Sequence, residues 1–195
     1  MTETQAPVMT TASFDYHSDE HVAVLTSMFR EYLLEDFDRT GHFAPGFPFA
    51  LWLQTLLVSV DGHPVAFCSA DLKRRSIELL YVRPDYRRRG VAQLLLRHLR
   101  DSCPSEMRLK APVSPACLRI AERLGIPVAH QPEEERQEAE RALAEMAAGV
   151  RRLCTHKRTG NPLRSCRVCY RALLKKAANR MVSESCLAMQ QLGRG

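Results

Sequence analysis

A chain of 195 residues, 45% of them hydrophobic, has room for one ordinary domain with a buried core and an appendage. No stretch approaches the ~20 apolar residues of a membrane span, and residues 1–13 lack the charged-then-apolar pattern of a signal peptide. The expectation is therefore a cytoplasmic protein, off the membrane, whose seven cysteines are mostly reduced. The net charge of +6 is unevenly spread: residues 1–150 carry 17 Lys/Arg against 21 Asp/Glu, and residues 151–195 carry 11 Lys/Arg against Glu184 alone. A tail with a balance of +10 reads either as a contact surface for nucleic acid or an acidic protein, or as a solvated arginine-rich helix.

Residues 1–12 are expected to be disordered. Ser18 is placed to cap a helix whose apolar face is Val22, Leu25, Phe29 and Leu33, ending near Asp38. A loop follows over 41–48, then a short helix over 49–54. Residues 55–60 and 64–70 read as two strands around an Asp61-Gly62 hairpin turn. A second turn at 73–75 leads to a third strand over 77–82 and a helix over 91–100. A strand is predicted over 106–111. Ser114 and Pro115 then start a helix that Gly125 stops, and a short strand or extended piece covers 126–129.

The most informative run is VRPDYRRRGVA, residues 82–92. It takes a strand through a basic, glycine-bearing loop into a helix N-terminus, which is the arrangement of a phosphate cradle. The helix end adds roughly half a positive charge, and its first N–H groups face outward. Gly90 has no Cβ to obstruct an anion, and Arg87, Arg88 and Arg89 raise the local potential. The spacing resembles the acyl-CoA loop of the GNAT family of N-acetyltransferases, V-x-x-x-x-[Q/R]-x-x-G-x-[G/A], with Val82, Arg87, Gly90 and Ala92 in register.

The resemblance spans roughly residues 13–129. It implies an α/β fold in which helices flank a mixed, twisted sheet. It also implies acetyl-CoA as cosubstrate, with backbone donors from Arg88, Arg89, Gly90, Val91, Ala92 and Gln93 on the pyrophosphate. It further implies a bulge in the strand before the loop, with a backbone N–H near Tyr81–Val82 on the thioester carbonyl and Leu80 also among the cofactor contacts. Glu78 stands where the family often has a carboxylate acting through water as general base, and alternation puts Leu80 and Val82 on its face; a solvated edge glutamate is the other reading. Asp71, His42 and His63 are further candidate bases. The family's later segment, N-x-x-A-x-x-x-Y-x-x-x-G-F, is matched only at Gly125. Ser114 replaces the cofactor-touching Asn, Cys117 the Ala, and Ala121 the Tyr that protonates the departing thiolate.

Beyond residue 131 the composition changes. Residues 133–135 are three glutamates at a helix start, and Ala139, Leu143, Met146, Val150 and Leu153 form one apolar stripe. Tyr170, Leu174, Ala177 and Met181 form a second. The expected organisation is a disordered 1–12, an acyl-CoA domain over 13–130 and a basic helical hairpin over 131–195, with separate packing of each helix on the body as the alternative. Between the stripes lies C-x-H-x9-C-x2-C: Cys154, His156, Cys166 and Cys169 in two pairs around a Gly-Asn-Pro turn. Two thiolate-bearing pairs suit a closed, structural, tetrahedral zinc; unliganded thiols or a disulfide between Cys166 and Cys169 are the alternatives. Cys68 and Cys117 read as core thiols, Cys103 follows the helix over 91–100, and Cys186 lies late in the tail. The function expected is acetyl transfer to an amine of a macromolecular acceptor, protein or nucleic acid. The alternative is a catalytically weak or inactive protein of the same fold that binds nucleic acid or a protein through its tail.

Overall fold

The computed structural model describes residues 7–40, 53–103, 106–111 and 113–129, with scattered positions from 132 to 183. A six-stranded sheet runs in sequence order: β1 (Met9–Ser13), β2 (Leu53–Val60), β3 (His63–Asp71), β4 (Ser76–Val82), β5 (Arg108–Lys110) and β6 (Val128–Ala129). The first four strands are antiparallel, and β4, β5 and β6 are parallel. Three helices complete the described elements: α1 (Asp19–Thr40), α2 (Val91–Ser102) and α3 (Pro115–Leu124).

Alternation along the strands divides the core. Leu57, Phe67, Leu79 and Tyr81 meet Leu25, Met28, Phe29 and Leu33 of α1 on one face. Leu56, Val58, Cys68 and Ile77 meet Val91, Leu95, Leu96 and Leu99 of α2 and Ala121 of α3 on the other. Local chemistry fixes the ends of these elements. The Ser18 hydroxyl accepts from the His21 N–H at 3.3 Å, with Asp19 and Glu20 in the first turn of α1. Asp61 and Gly62 both take positive φ, 50° and 78°, in a turn whose twist matches its flanking strands. Ser114 caps α3, and Gly125 at φ 67° ends it by donating to the carbonyls of Ala121 and Glu122.

Two expectations need correction. Residues 9–12 lie in β1, which pairs along β2 from Met9–Val60 to Ser13–Leu56, so the domain begins earlier than its polar composition indicates. The edge is further held by the Val8 N–H on the Asp61 carboxylate at 2.9 Å. Leu53 and Gln54 belong to β2, so the helix expected over 49–54 does not include them; the rest of that segment and the loop over 41–48 lie outside the described residues. If β1 is part of the sheet, deleting residues 1–13 uncovers the edge of β2 and lowers the urea midpoint of unfolding. An unchanged midpoint would return these residues to a disordered tail.

Candidate acyl-CoA site

The site begins with an irregularity in β4. Leu79 pairs with Ser69 and Ile77 pairs with Ala70, leaving Glu78 as one extra residue in a β-bulge. The bulge breaks the alternation: Ile77 packs in the α2–α3 cluster, whereas Leu79 and Tyr81 pack in the α1 cluster. Pairing of β4 with β5 stops at the same place, with Ser76–Arg108 and Ile77–Leu109 the last registered partners. From Glu78 onward the two parallel strands part. The next residues on each strand still meet, because Lys110 Nζ lies 2.9 Å from a Glu78 carboxylate oxygen. The Ser76 hydroxyl makes a short hydrogen bond to the other oxygen. Glu78 is thus ion-paired and half-buried rather than a solvated edge residue, with its carboxylate held at the mouth of the parting. Its position two residues from Ser76, across the bulge from Leu80 and Val82, overturns the simple alternation that grouped it with them.

Beyond β4, Pro84–Tyr86 form one 3-10 turn, Arg88 takes φ 62°, and Gly90 takes φ 84° at the N-cap of α2. No side chain caps α2, and a Cβ added at Gly90 would meet nothing within 4 Å. The first N–H groups of a helix have no intrahelical partner, so those of Val91, Ala92 and Gln93 are left for an anion such as phosphate. The three arginines do not act alike. Arg87 is drawn back from the loop: it donates to the Val82 carbonyl at 2.9 Å, pairs with Glu35 of α1 at 2.5 Å and lies over the Tyr81 ring. Arg89 lies over Tyr86 at 5.3 Å, and Arg88 and Arg89 remain exposed.

Several contributors were not read from the sequence. Arg83 forks onto both oxygens of Glu31, at 2.8 and 2.9 Å, and donates to the Pro64 carbonyl at 2.8 Å. Glu31 and Glu35 of α1 therefore face Arg83 and Arg87, an i,i+4 pair against another pair four apart, which is the only sequence trace of the contact. The Lys110–Glu78 pair had no such trace, because it depends on the β4–β5 register. Tyr81 is buried between these charges; burial and the nearby Glu31 and Glu35 carboxylates push its phenol up to about 12, against the opposing pull of Arg87 and Arg83.

The remaining candidates separate cleanly. Asp71 is buried and accepts from the Lys73 and Arg74 N–H groups, each at 2.9 Å, so it closes the turn before β4 rather than facing the parting. His63 sits exposed in the β2–β3 hairpin turn, 3.0 Å from the Asp61 carbonyl, and His42 lies outside the described residues. The Ser114 hydroxyl accepts from the Cys117 N–H at 3.3 Å at the start of α3, just past β5. Ala121 is fully buried in the α2–α3 cluster and brings no proton donor.

In the tail, the described positions of residues 133–148 and 168–183 are helical, whereas both apolar stripes and Cys154, Cys166 and Cys186 lie outside the described residues. His156 Nδ1 and Cys169 Sγ lie 3.4 Å apart, so two of the four expected metal ligands meet across thirteen residues. Among the described residues no group of three or more His, Cys, Asp or Glu is placed to hold a metal ion. Cys169 packs against the α1 cluster, and Arg171 pairs with Asp38 near the end of α1 at 3.1 Å, fixing this part of the tail to the α1 side.

Burial pushes the Cys68 thiol far up and that of Cys117 up as well. The thiolate is the reactive form, so neither cysteine is poised as a nucleophile near neutral pH. Iodoacetamide at pH 7–8 is expected to spare Cys68 in the folded protein and to modify it once urea has unfolded the chain. Rapid native labelling, read by peptide mass, would contradict this placement.

Residues 15–125 match the model of the acetyltransferase (GNAT) family. No curated protein matches the chain. Solved structures with a similar course include the aminoglycoside N-acetyltransferase AAC(6')-Iy with CoA, at 18% identity over 67% of this chain and 95% of that one (TM-score 0.47). Another is a ribosomal-protein-alanine N-acetyltransferase from Brucella melitensis biovar Abortus 2308, at 19% identity over 63% and 92% (TM-score 0.44). A third is an aminoglycoside acetyltransferase from an uncultured soil metagenomic sample, at 17% identity over 79% and 95% (TM-score 0.38). No described helix is long and apolar enough to cross a membrane. With the family model covering more than half of the chain, and with a bulged β4 leading into the glycine-capped α2, the chain belongs to the GNAT acetyltransferase family.

Proposed function

We propose that the protein is an acetyl-CoA-dependent N-acetyltransferase that modifies an amine on a macromolecular acceptor, protein or RNA. The observation that carries the acyl-CoA part is the open cradle at Gly90: an uncapped helix end, a left-handed glycine and free space before it, next to parted strands. These features fit an anionic pyrophosphate followed by an extended arm. Bound there, acetyl-CoA supplies an activated acyl carbon. The chain's own residues supply the rest. N–H groups from Arg88 to Gln93 hold phosphate, and N–H groups of β4 near Leu80, Tyr81 and Val82 polarise the thioester carbonyl. Ser114, past the end of β5, offers a polar side chain to the cofactor arm. Glu78 accepts the proton of the attacking amine, directly or through water.

The macromolecular acceptor is inferred from the +10 balance of residues 151–195 and from the Arg171–Asp38 and Cys169 contacts that hold part of the tail beside α1. We further propose that Cys154, His156, Cys166 and Cys169 bind one structural zinc. The approach of His156 to Cys169 supports it, and a closed thiolate–imidazole site would offset the repulsion of so many like charges.

One observation favours a second reading. With Ala121 buried where the family's tyrosine is expected, transfer is slowed or lost, and the chain is a GNAT-fold protein that binds nucleic acid or a protein through its tail. A missing acid costs about 10²–10⁴-fold, so measurable loss of the acetyl-CoA thioester separates the two readings. Steeply salt-dependent binding to RNA would assign nucleic acid as the tail's partner.

Three outcomes follow. Gly90→Glu places bulk and negative charge where phosphate is held, so calorimetry should show CoA binding by the wild type and none by the folded variant; equal affinity would contradict the site. Glu78→Gln should slow turnover while leaving CoA affinity near the wild-type value, and an unchanged rate across pH 6–9 would remove Glu78 as the base. Elemental analysis of protein purified without added metal should give near one zinc per chain. Zinc below about a tenth of an ion per chain, together with a tail still protease-resistant after chelation, would leave four ordinary side chains; structural zinc contributes on the order of 10 kcal/mol to such segments.

A further inference from the structure

We propose that Lys110 is a catalytic residue of the acetyl transfer, the acid that protonates the departing CoA sulfur, with Glu78 as the group that reloads it. This rests on the acetyl-CoA reading above and names a residue that the family resemblance does not supply.

Placement comes first. The last paired residues of β4 and β5 are Ile77 and Leu109, and the first beyond them are Glu78 and Lys110. Their side chains meet 2.9 Å apart across the mouth of the parting, into which the thioester must be laid if acyl-CoA enters between the strands. The lysine side chain is 29% exposed and the glutamate 17%, so the pair is sheltered yet reachable. The Ser76 hydroxyl holds the second oxygen of Glu78 and fixes the carboxylate against the strand.

Other donors are poorly matched. Ala121 has no ionisable proton to give, and its position is sealed in the core. The Tyr81 phenol is pushed up to about 12, and the Cys117 thiol is also pushed up, which makes each a reluctant donor to another thiolate. The Lys110 ammonium is chosen on placement, at the mouth of the parting. It also stabilises negative charge gathering on sulfur before the proton moves.

The step balances. The amine nitrogen forms a bond to the acyl carbon, and the carbon–sulfur bond breaks with its electron pair leaving on sulfur. The amine's proton goes to the Glu78 carboxylate, and a Lys110 ammonium proton goes to sulfur. The Glu78 proton then crosses the 2.9 Å contact to the lysine amine, restoring the ion pair. Amine and thioester become amide and CoA thiol, with no other reactant.

The test reads the thiol rather than turnover. CoA is titrated on the protein by thiolate absorbance in the ultraviolet, with the desulfo-CoA complex as blank. A cation beside the sulfur should lower the bound thiol's pKa by about 1 unit or more relative to free CoA. Lys110→Met should abolish that shift, Lys110→Arg should keep it, and Glu78→Gln, which removes the carboxylate opposing the ammonium's charge, should deepen it. A lysine that merely braced Glu78 would leave the thiol unmoved in all four proteins. If wild-type protein binds CoA with an unshifted thiol, the proposal is overturned, whatever the fate of the variants. If CoA does not bind at all, the acetyl-CoA reading falls, and this proposal falls with it.

Discussion

One extra residue in β4 organises the site. Antiparallel β3 tolerates the bulge at Glu78, because Ser69 and Ala70 simply take Leu79 and Ile77 as partners. Parallel β5 does not continue past it, and its pairing ends after Leu109. A sheet continuous on one side of β4 and split on the other leaves an edge of backbone N–H groups inside the domain, and such groups need partners. A ligand that is itself an extended chain with amides can supply them. The split opens beside the turn into α2, whose N-terminus follows β4 after one short loop.

The second constraint ties α1 to that loop. Glu31 with Arg83 and Glu35 with Arg87 make two rungs between the helix over one face of the sheet and the turn that leads to α2. Both pairs are partly exposed, so each contributes modestly, of order 1 kcal/mol or less. Their geometry matters more than their energy. Arg87 is withdrawn from the cradle, and the positive field there rests on Arg88, Arg89 and the helix end. The tail reaches the same helix through Arg171 and Asp38, so α1 touches both the loop before α2 and the basic segment. An acceptor guided by the tail would approach from the α1 side of the sheet.

Much of the frame was legible. Ser18, Asp61-Gly62, Ser114 and Gly125 announce their turns and caps because each is a local event decided by neighbouring residues. The loop from Val82 to Ala92 was legible for the same reason. β1 was missed because it is a polar edge strand; its pairing with β2 lies about fifty residues away, and its composition carries no apolar alternation. A bulge in this strand was implied by the resemblance, but its position at Glu78 was not legible, because a glutamate in a strand looks the same whether or not one residue is unpaired. Once it is present, period-two reasoning fails across it, which is why Leu80 and Val82 do not share the glutamate's face. Lys110 was missed because a cation three residues into a short strand acquires meaning only when the parallel register sets it opposite Glu78.

The central claim is that the parting of β4 and β5 and the Gly90 turn form one continuous acyl-CoA site. Amide resonances of the isotopically labelled protein, followed while CoA is added, test it most directly. The account predicts that residues 79–82 and 88–93 shift and gain exchange protection together and saturate at one equivalent, while β1 and β2 stay unmoved. Shifts confined to the basic tail, or perturbation of the loop without the strand, would contradict it.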